Sequence, residues 1–498
     1  MHIRKISLLL VLLQLATLAA SCSGENPDSP ESSQNPVTSS ADSDETTSPL
    51  ETSGVPRDLN LGGETINIWY TTSPYSTVET FPDLAGELTG ETLDDTTYNT
   101  NRAVEDRLNC TLNFYDSLCK SSETGDEAQK IIMAGDDTYD MFHVVQWNGT
   151  RLATEGYFMN MSGAPYISLD KPWWDEYFMK EMAVGKDKYY MLVGDYCIDR
   201  TRNLSCMFYN KTLYEKYYKD PDGLYNDVID GTWTWDKLRK IASDSWVDIN
   251  NNGKTDRGDQ YGYSINGGNY LDGLFYGTGA RVTGRDEKNY PTLILNNERV
   301  ADISTGLYNL VYETTGGFDG GSTFEDYTLN QSDFASDMSM FLFGFFYTAE
   351  SLRDMKNDFG IIPYPKFDED QENYVSIAHD ITRMMGIPVG CGKYDAVCAV
   401  LEELSFEGYN SVVPAYYDVL MKNKYSRDDV SAEMLDIIRD NCRPDIAYIY
   451  LYSFNQLGLY FRYMIQDKSS NFASLYAGYE AGAKVNMQSL IDQFESID

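Results

Sequence analysis

Apolar and polar residues recur with two different periods along the chain. Residues 65–70 alternate as in a strand, residues 99–108 space their apolar side chains as on one face of a helix, and residues 110–115 alternate again. Apolar spacing over 126–134, a Gly-Asp-Asp turn and a run over 139–145 repeat this order. The pattern predicts βαβ units, and therefore a mainly parallel sheet covered by helices.

The second half of the chain continues the alternation. Thr234 is suited to cap a helix that starts at residue 235, and apolar spacing predicts further helices over 297–312 and 394–404. Residues 359–363 predict a short buried strand that stops at a proline. No repeat of fixed period is present. Because strands and helices alternate across both halves, we expect an α/β fold throughout, with a helical C-terminus.

The N-terminal segment carries a targeting pattern. Two basic residues precede an apolar run over residues 6–18, which suits a signal peptide and is too short to span a bilayer. Small residues then lead to Cys22, as in a bacterial lipobox, where lipid on the cysteine thiol anchors the mature chain. An ordinary secretory signal is the alternative interpretation. We expect a signal peptide over 1–21 and lipidation of Cys22.

A tether follows the lipidation site. Residues 23–56 are rich in Ser, Thr, Pro and acidic residues and have almost no apolar side chains, so they cannot bury a core. We expect a disordered tether over 22–60 that holds a folded domain above the outer face of the cytoplasmic membrane. The function is therefore expected to be extracytoplasmic.

Composition limits the possible partners. The formal net charge of −38 disfavours nucleic acid and anionic membrane surfaces, because both require a surplus of Lys and Arg. No later stretch has the length and apolar character of a transmembrane helix. About 440 residues remain after the tether, which is enough for two packed domains. We expect a monomer anchored only through Cys22.

Cysteine and histidine offer little catalytic chemistry. Seven cysteines remain after Cys22, and either local disulfides or buried free thiols are compatible with their positions, Cys110, Cys119, Cys197, Cys206, Cys391, Cys398 and Cys442. The mature chain has only two histidines, His143 and His379, with no GxSxG elbow and no histidine pair at zinc-ligand spacing. Isolated structural histidines are the simpler interpretation of both.

One loop matches a calcium-binding pattern. It has oxygen ligands at the first, third, fifth, ninth and twelfth positions, a glycine at the sixth and a backbone carbonyl at the seventh. These ligands are Asp248, Asn250, Asn252, Lys254 through its carbonyl, Asp256 and Asp259. An Asp replaces the usual terminal Glu, and a polar turn rich in Asn and Gly is the alternative. We expect a structural calcium ion here.

Several short segments, taken in order, resemble the family 1 extracellular solute-binding proteins of ABC importers, the group that includes maltose-binding protein. The segments are 66–70 (INIWY), 134–136 (AGD), 139–142 (YDMF), 155–161 (EGYFMNM), 185–190 (GKDKYY), 207–211 (MFYNK), 232–236 (TWTWD), 358–365 (DFGIIPYP) and 386–388 (GIP). Each is weak alone, but their order over residues 61–407 is specific. The lipoprotein anchor agrees independently, since a cell without an outer membrane must tether such a receptor.

The resemblance implies two α/β lobes that close on a solute and present it to a membrane permease. It places the crossings between lobes near Asp199 and near Ser376. The first lobe would comprise 61–198 plus 377–425, and the second 199–376 plus 426–498. By the same resemblance the protein is a receptor without catalytic activity, most suited to an oligosaccharide.

The resemblance also places candidate contacts for the solute. In the first lobe these follow two strands, in agreement with the rule that ligands lie beyond the carboxyl ends of strands in open α/β sheets. They are Ser73, Tyr75, Gln146 and Trp147. The first crossing supplies Asp199, Arg200 and Asn203, for which structural pairing is the alternative. The second lobe supplies the aromatic candidates Tyr270, Phe346 and Tyr347, since sugars stack on rings.

Two other functions remain possible from the sequence. A surface protein that adheres to polysaccharide would share the anchor and the aromatic content. An extracellular glycosidase needs only two suitably spaced carboxylates among 77 acidic residues, although no motif marks such a pair. The solute itself is not identified, because this fold serves many ligands.

Overall fold

The first β-sheet forms where the sequence alternates most clearly. In the computed structural model, which describes residues 52–74, 84–186, 188–422 and 429–497, the strands are β1 (Glu64–Tyr70), β2 (Cys110–Asp116), β3 (Met141–Val145), β4 (Ser205–Asn210), β5 (Tyr263–Asn266), β6 (Thr283–Arg285), β7 (Pro291–Leu293), β8 (Gly317–Gly321), β9 (Phe341–Phe345), β10 (Phe359–Ile362) and β11 (Arg383–Gly386). The first sheet has the order β11-β3-β1-β2, and only β11 is antiparallel to its neighbour.

The second sheet has the order β10-β4-β9 and is antiparallel throughout. Two further sheets in the described part of the chain have two strands each: β5 and β8 are parallel, and β6 and β7 are antiparallel. Backbone hydrogen bonds from Met340 to Tyr261 (2.9 Å) and from Phe341 to Gly262 (2.8 Å) connect the start of β9 to the residues just before β5. The predicted α/β class is confirmed. Mainly parallel pairing holds for the first sheet but not for the second, in which β4 is antiparallel to both β9 and β10.

Helices cover both sheets. They are α1 (Thr92–Leu108), α2 (Thr124–Met133), α3 (Gln146–Thr154), α4 (Glu176–Met182), α5 (Asp199–Arg202), α6 (Lys211–Tyr218), α7 (Gly223–Ile229), α8 (Trp235–Ser245), α9 (Asn269–Tyr276), α10 (Glu298–Tyr312), α11 (Phe324–Ala335), α12 (Thr348–Ser351), α13 (Tyr394–Glu407), α14 (Val413–Lys422), α15 (Asp429–Asp440), α16 (Ile446–Ile449), α17 (Tyr460–Gln466) and α18 (Phe472–Ser496). Short 3₁₀ turns and one π-helical turn (Gly408–Val412) connect some of them. The Thr234 hydroxyl accepts a hydrogen bond from the Lys237 N–H (3.4 Å), as the predicted cap requires.

The chain passes between the two sheets in three crossing segments, 199–204, 376–383 and 441–446. The first two pair through a bridge between Leu204 and Ala378 and through the His379 N–H, which donates to the Asn203 carbonyl (2.9 Å). The third pairs with Ser376, whose N–H donates to the Asn441 carbonyl (3.0 Å). Residues 52–498 form one compact unit, and the lobe boundaries drawn from the resemblance stay predictions.

The folded region begins earlier than the sequence indicated. Ser53 donates from its hydroxyl to the Glu403 carboxylate (2.7 Å), and the Gly54 N–H donates to Glu402 (3.0 Å). A Cβ at Gly54 would lie 2.3 Å from the Tyr166 carbonyl oxygen, so only glycine fits there without a shift. The docked chain therefore includes residues 53–55, and the prediction of a disordered tether is wrong for these residues. The proposed signal peptide and Cys22 lie outside the described residues.

Candidate functional site

The carboxyl ends of β1 and β3 lie at one edge of the first sheet, next to the start of β11. Ser73, just after β1, is buried with a left-handed φ of 49°. Its hydroxyl accepts a hydrogen bond from the Ser121 N–H (3.2 Å), so Ser73 holds the neighbouring loop in place. Tyr75, the other candidate of this loop, lies outside the described residues.

Gln146 is the first residue of α3 and a buried member of the same edge. Its backbone N–H donates to the Thr382 carbonyl (2.8 Å), and its Nε2 donates to the Tyr448 carbonyl (3.1 Å). Within the described part of the chain, Gln146 Oε1 and Thr382 Oγ1 are buried without a hydrogen-bond partner. Trp147 is half-buried and packs against Val145 and Ile381. We call Ser73, Gln146, Trp147 and Thr382 the first-sheet edge.

Most polar side chains of the first crossing segment form hydrogen bonds or ion pairs within the protein. The fully buried Asp199 carboxylate accepts hydrogen bonds from the Arg383 backbone N–H (2.7 Å) and from Asn203 Nδ2 (3.3 Å). Burial raises the pKa of Asp199. Asn203 Oδ1 is buried and has no partner among the described residues. Arg200 instead pairs with Asp175 (Nη2–Oδ2, 2.7 Å), away from Asp199 and Asn203.

Aromatic rings form the corresponding edge of the second sheet. Tyr270 stacks on Tyr327, with ring centroids 5.7 Å apart and planes at 12°. Phe345 stacks on Tyr347 at 5.4 Å and 16°, and it also contacts Tyr270 at 5.7 Å. We call these four rings the second-sheet edge. Tyr270 is 7% exposed, whereas Tyr327 and Tyr347 are half-buried, so the latter two keep part of their surface exposed.

Phe346 differs from its neighbour Tyr347. The Phe346 side chain is fully buried in a core cluster, and its backbone N–H donates to the Leu204 carbonyl (3.0 Å). Tyr347 carries the Arg202 guanidinium 5.3 Å from its ring centroid, and Arg202 in turn forms a bidentate pair with Glu350 (2.8 Å for both contacts). β9 ends at Phe345, and Tyr347 caps the short helix α12 that follows. Of these two candidates, only Tyr347 keeps solvent-exposed surface.

A buried polar cluster supports the second-sheet edge from behind. His379 lies 4.7 Å from Phe345, ring to ring, contacts Asn269 and pairs with Asp380 (Nδ1–Oδ1, 2.9 Å). Burial tends to raise the pKa of Asp380, but the hydrogen bond from His379 and the charge of Arg462 lower it to about 2.

The same cluster reaches the first-sheet edge. Arg462 also pairs with Asp272, whose carboxylate accepts a hydrogen bond from the Tyr448 hydroxyl (3.2 Å). Burial raises the pKa of Asp272 to about 6 in spite of Arg462. The Tyr448 carbonyl accepts the bond from Gln146, so a continuous chain of contacts joins the two edges.

No curated protein sequence matches this chain. The sequence profile of the family described as bacterial extracellular solute-binding protein matches residues 109–410, more than half of the chain. The chain belongs to this family. The resemblance seen in the sequence is thereby confirmed, and the family is one of binding proteins rather than enzymes.

Solved structures share the fold of this solute-binding protein. The GacH receptor of Streptomyces glaucescens, solved unliganded and with acarbose, has 13% identity, coverage of 88% of this chain and 100% of that chain, and a TM-score of 0.52. UgpB of Mycobacterium tuberculosis, in complex with glycerophosphocholine, has 12% identity, coverage of 86% and 99%, and a TM-score of 0.54. An ABC substrate-binding protein of Listeria monocytogenes, in complex with cycloalternan, has 14% identity, coverage of 88% and 100%, and a TM-score of 0.51. At these identities the likeness establishes the fold alone.

The loop predicted to bind calcium satisfies its oxygens within the protein. Asp248 accepts from the N–H groups of Asn252 (3.1 Å) and Gly253 (2.9 Å), and Asp256 accepts from the Asn250 (2.9 Å) and Asn252 (2.6 Å) amides. The Lys254 N–H donates to Asn252 Oδ1 (2.8 Å), and buried Asp259 accepts from the Ile249 N–H (3.0 Å) and the Trp246 indole (3.1 Å). Among the described residues, no group of three or more His, Cys, Asp or Glu side chains is arranged to hold a metal ion. Calcium binding stays a prediction.

The remaining sequence features concern thiols and membranes. All seven described cysteines are free, and burial raises the pKa of the Cys197 thiol, which lies 3.6 Å from His143 Nε2. Within the described residues no helix combines the length and apolar character needed to cross a membrane.

Proposed function

We propose that this protein captures a small hydroxylated solute, most suitably an oligosaccharide, between the first-sheet edge and the second-sheet edge, and delivers it to an ABC permease without chemical change. Two observations together support the proposal: the first-sheet edge has buried polar atoms without a partner among the described residues, and the second-sheet edge has stacked aromatic rings. Both edges adjoin the same crossing segments, so one solute can contact both.

The chemistry of sugars fits this pair of surfaces. A sugar presents hydroxyl groups around its rim and C–H groups on its faces, so it needs hydrogen-bond partners and aromatic platforms at once. Gln146 Oε1 and Asn203 Oδ1 accept hydrogen bonds, the Thr382 hydroxyl can also donate one, and Tyr347 supplies a ring. Acarbose and cycloalternan in two structural neighbours agree with this class, whereas glycerophosphocholine in a third shows that the fold takes other solutes.

The test is calorimetric titration of the mature chain with a panel of oligosaccharides, polyols and glycerophosphodiesters. Replacing Tyr347 with Ala should weaken binding of the preferred solute by about tenfold, because one aromatic platform contributes on the order of 1 kcal/mol. Tyr452, which is 61% exposed and belongs to neither edge, provides the matched control in Tyr452→Ala. Equal losses in both variants, or release of a hydrolysed product, would refute the proposal. Binding only to insoluble polymer would favour an adhesin.

We further propose that lipid on Cys22 holds the receptor, as a monomer, on the outer face of the cytoplasmic membrane. The support is the lipobox pattern, together with the family's extracellular character. A Cys22→Ser variant should appear in the medium with an unchanged melting temperature. Full retention of that variant in the membrane fraction would contradict lipid anchoring.

Calcium is proposed as a structural ligand of the loop from Asp248 to Asp259. An ion that binds only the folded state stabilises it by mass action, so millimolar calcium should raise the melting temperature. Asp248→Ala should abolish that rise, while Asp244→Ala, an exposed carboxylate just outside the loop, should keep it. Identical melting of the wild type with calcium and with chelator would reject the proposal.

A further inference from the structure

A cavity lies beside the crossing segments and apart from both sheet edges. Its volume is about 350 Å³, within the range of pockets that hold small molecules. We call it the hinge pocket and define it by Trp174, Asp175, Asp195, Arg200, Tyr409 and Arg439, which all line it. These residues come from the segment before α4, the approach to the first crossing, the turn after α13 and the end of α15. None of them belongs to the first-sheet or second-sheet edge.

The charges of the hinge pocket are arranged in pairs. Arg200 pairs with Asp175 (2.7 Å), and Arg439 pairs with Asp195 (2.7 Å). Burial raises the pKa of Asp195 to about 6, although Arg439 and Arg200 oppose the shift. The remaining charged residues of the wall are one arginine and two carboxylates, Arg443, Glu176 and Asp440. Because carboxylates outnumber guanidinium groups by one, an anionic ligand is disfavoured here.

Aromatic faces complete the wall. Tyr409 belongs to the π-helical turn Gly408–Val412, an irregularity that often occurs at functional sites. The Arg439 guanidinium lies 5.4 Å from the Tyr409 ring centroid, and the Arg443 guanidinium lies 4.7 Å from that of Tyr177. A Cβ at Gly408 would lie 1.9 Å from the Asp195 carbonyl oxygen, so glycine permits this close contact with the turn. Tyr177 and Tyr409 are both half-buried.

We propose that the hinge pocket is a second binding site, for a neutral polyhydroxylated molecule about the size of a monosaccharide. A hydroxyl group donates to a carboxylate and accepts from a guanidinium, so it can bind beside paired charges without unbalancing them. The exposed parts of the Tyr177 and Tyr409 rings can pack against C–H groups of such a ligand. The inference does not depend on the function proposed for the two sheet edges.

A ligand in the hinge pocket would contact residues next to the crossing segments. Arg200 belongs to the first crossing, and Arg439 ends the helix that leads to the third. A ligand that holds both ion pairs therefore stabilises one arrangement of the crossing segments. Binding here and binding at the sheet edges should change each other's affinity by the same factor, as linkage requires.

The experiment uses the mature chain carrying Tyr347→Ala, which weakens the sheet-edge site. It is titrated with D-glucose, D-ribitol and myo-inositol, and with inorganic phosphate as the anionic probe; crystals are soaked with the same molecules. We expect at least one neutral probe to bind in the hinge pocket. Adding Tyr409→Ala should weaken that binding about tenfold, whereas Tyr409→Phe should leave it within about twofold, because the ring is kept.

Asp244→Asn provides a control that leaves the pocket intact, since Asp244 is an exposed carboxylate on α8. It should leave the affinity for the neutral probe within about twofold, because Asp244 does not line the hinge pocket. Three results would overturn the proposal: no neutral probe in the pocket by titration and soaking, tighter binding of phosphate than of every neutral probe, or an equal loss from Tyr409→Phe and Tyr409→Ala. The first of these could occur while the sheet-edge site still binds oligosaccharide, so the two proposals fail separately.

Discussion

The two sheet edges that meet at the crossing segments are built from different chemistry. The first-sheet edge presents polar atoms, including Gln146 Oε1 and Thr382 Oγ1, which are buried and unpartnered within the described chain. The second-sheet edge contains stacked rings that end in Tyr347, which is partly exposed. Neither edge alone offers both hydrogen bonds and a platform. A solute that uses both must lie between the two edges. The two surfaces together therefore favour a ligand that has hydroxyl groups as well as C–H faces.

The edges also differ in what holds them in place. Gln146 is fixed by a backbone bond to Thr382 and a side-chain bond to the Tyr448 carbonyl. The rings rest on a buried cluster that contains His379, Asp380, Arg462 and Asp272. The second-sheet edge should therefore respond to pH and to core substitutions more strongly than the first.

The largest expected effect distinguishes the buried Phe346 from its neighbour Tyr347, which belongs to the second-sheet edge. Phe346→Ala should lower the free energy of unfolding by about 3–5 kcal/mol, because it removes a fully buried ring. Tyr347→Ala should cost much less stability, since its ring is partly exposed. Chemical denaturation of both variants measures the difference, with Phe346→Leu as the conservative control. A smaller loss for Phe346→Ala than for Tyr347→Ala would reverse the assignment of the two residues.

A second prediction concerns the cluster behind the rings. The pKa of Asp272 is raised to about 6, so the folded state binds a proton more tightly than the unfolded state. The stability from this group is full below about pH 4 and is lost as the pH rises through about 6, by about 1–3 kcal/mol. Denaturation of Asp272→Asn between pH 4 and 7 should show a smaller decline than the wild type; the part that remains comes from Asp195, whose pKa is also raised to about 6.

Asp380 serves as a control, because its contribution to stability depends on pH in the opposite direction. Its pKa is lowered to about 2, so its contribution is present above about pH 4 and is lost as the pH falls towards 2. Asp380→Asn should therefore retain the full decline between pH 4 and 6, which is reduced in Asp272→Asn. The same pH profile in both variants would contradict the assignment of the proton to Asp272.

The smallest expected effect belongs to the first-sheet edge. Gln146→Ala removes one acceptor for a solute hydroxyl, and a single neutral hydrogen bond contributes about 0.5–1.5 kcal/mol, so the solute affinity should fall several-fold. Titration of this variant is compared with Gln488→Ala, an exposed glutamine on α18. An unchanged affinity in Gln146→Ala would remove the first-sheet edge from the site.

The fold was largely predictable from the sequence because strand and helix periods are local properties. The predicted strands over 65–70, 110–115 and 359–363 coincide with β1, β2 and β10 to within a residue or two. The helix expected over 99–108 starts earlier, at Thr92. Residues 53–55 were misassigned to the tether, since their bonds to Glu402 and Glu403 join positions about 350 residues apart.

The candidate site was less predictable, because it depends on side-chain direction and on distant pairing. Phe346 and Tyr347 are indistinguishable by composition, and only the end of β9 decides which ring is buried. Tyr327 lies on α11, where no local signal marks it as covering Tyr270. His379 was interpreted as an isolated histidine, although residues far apart in sequence place it beside Phe345.

The most direct test of the central claim is a crystal structure of the mature chain with the tightest-binding solute of the panel. We expect one intact solute between the edges, with a C–H face on Tyr347 and a hydroxyl group within hydrogen-bond distance of Gln146 Oε1. A solute that contacts only one edge, or that lies elsewhere on the molecule, would contradict the account.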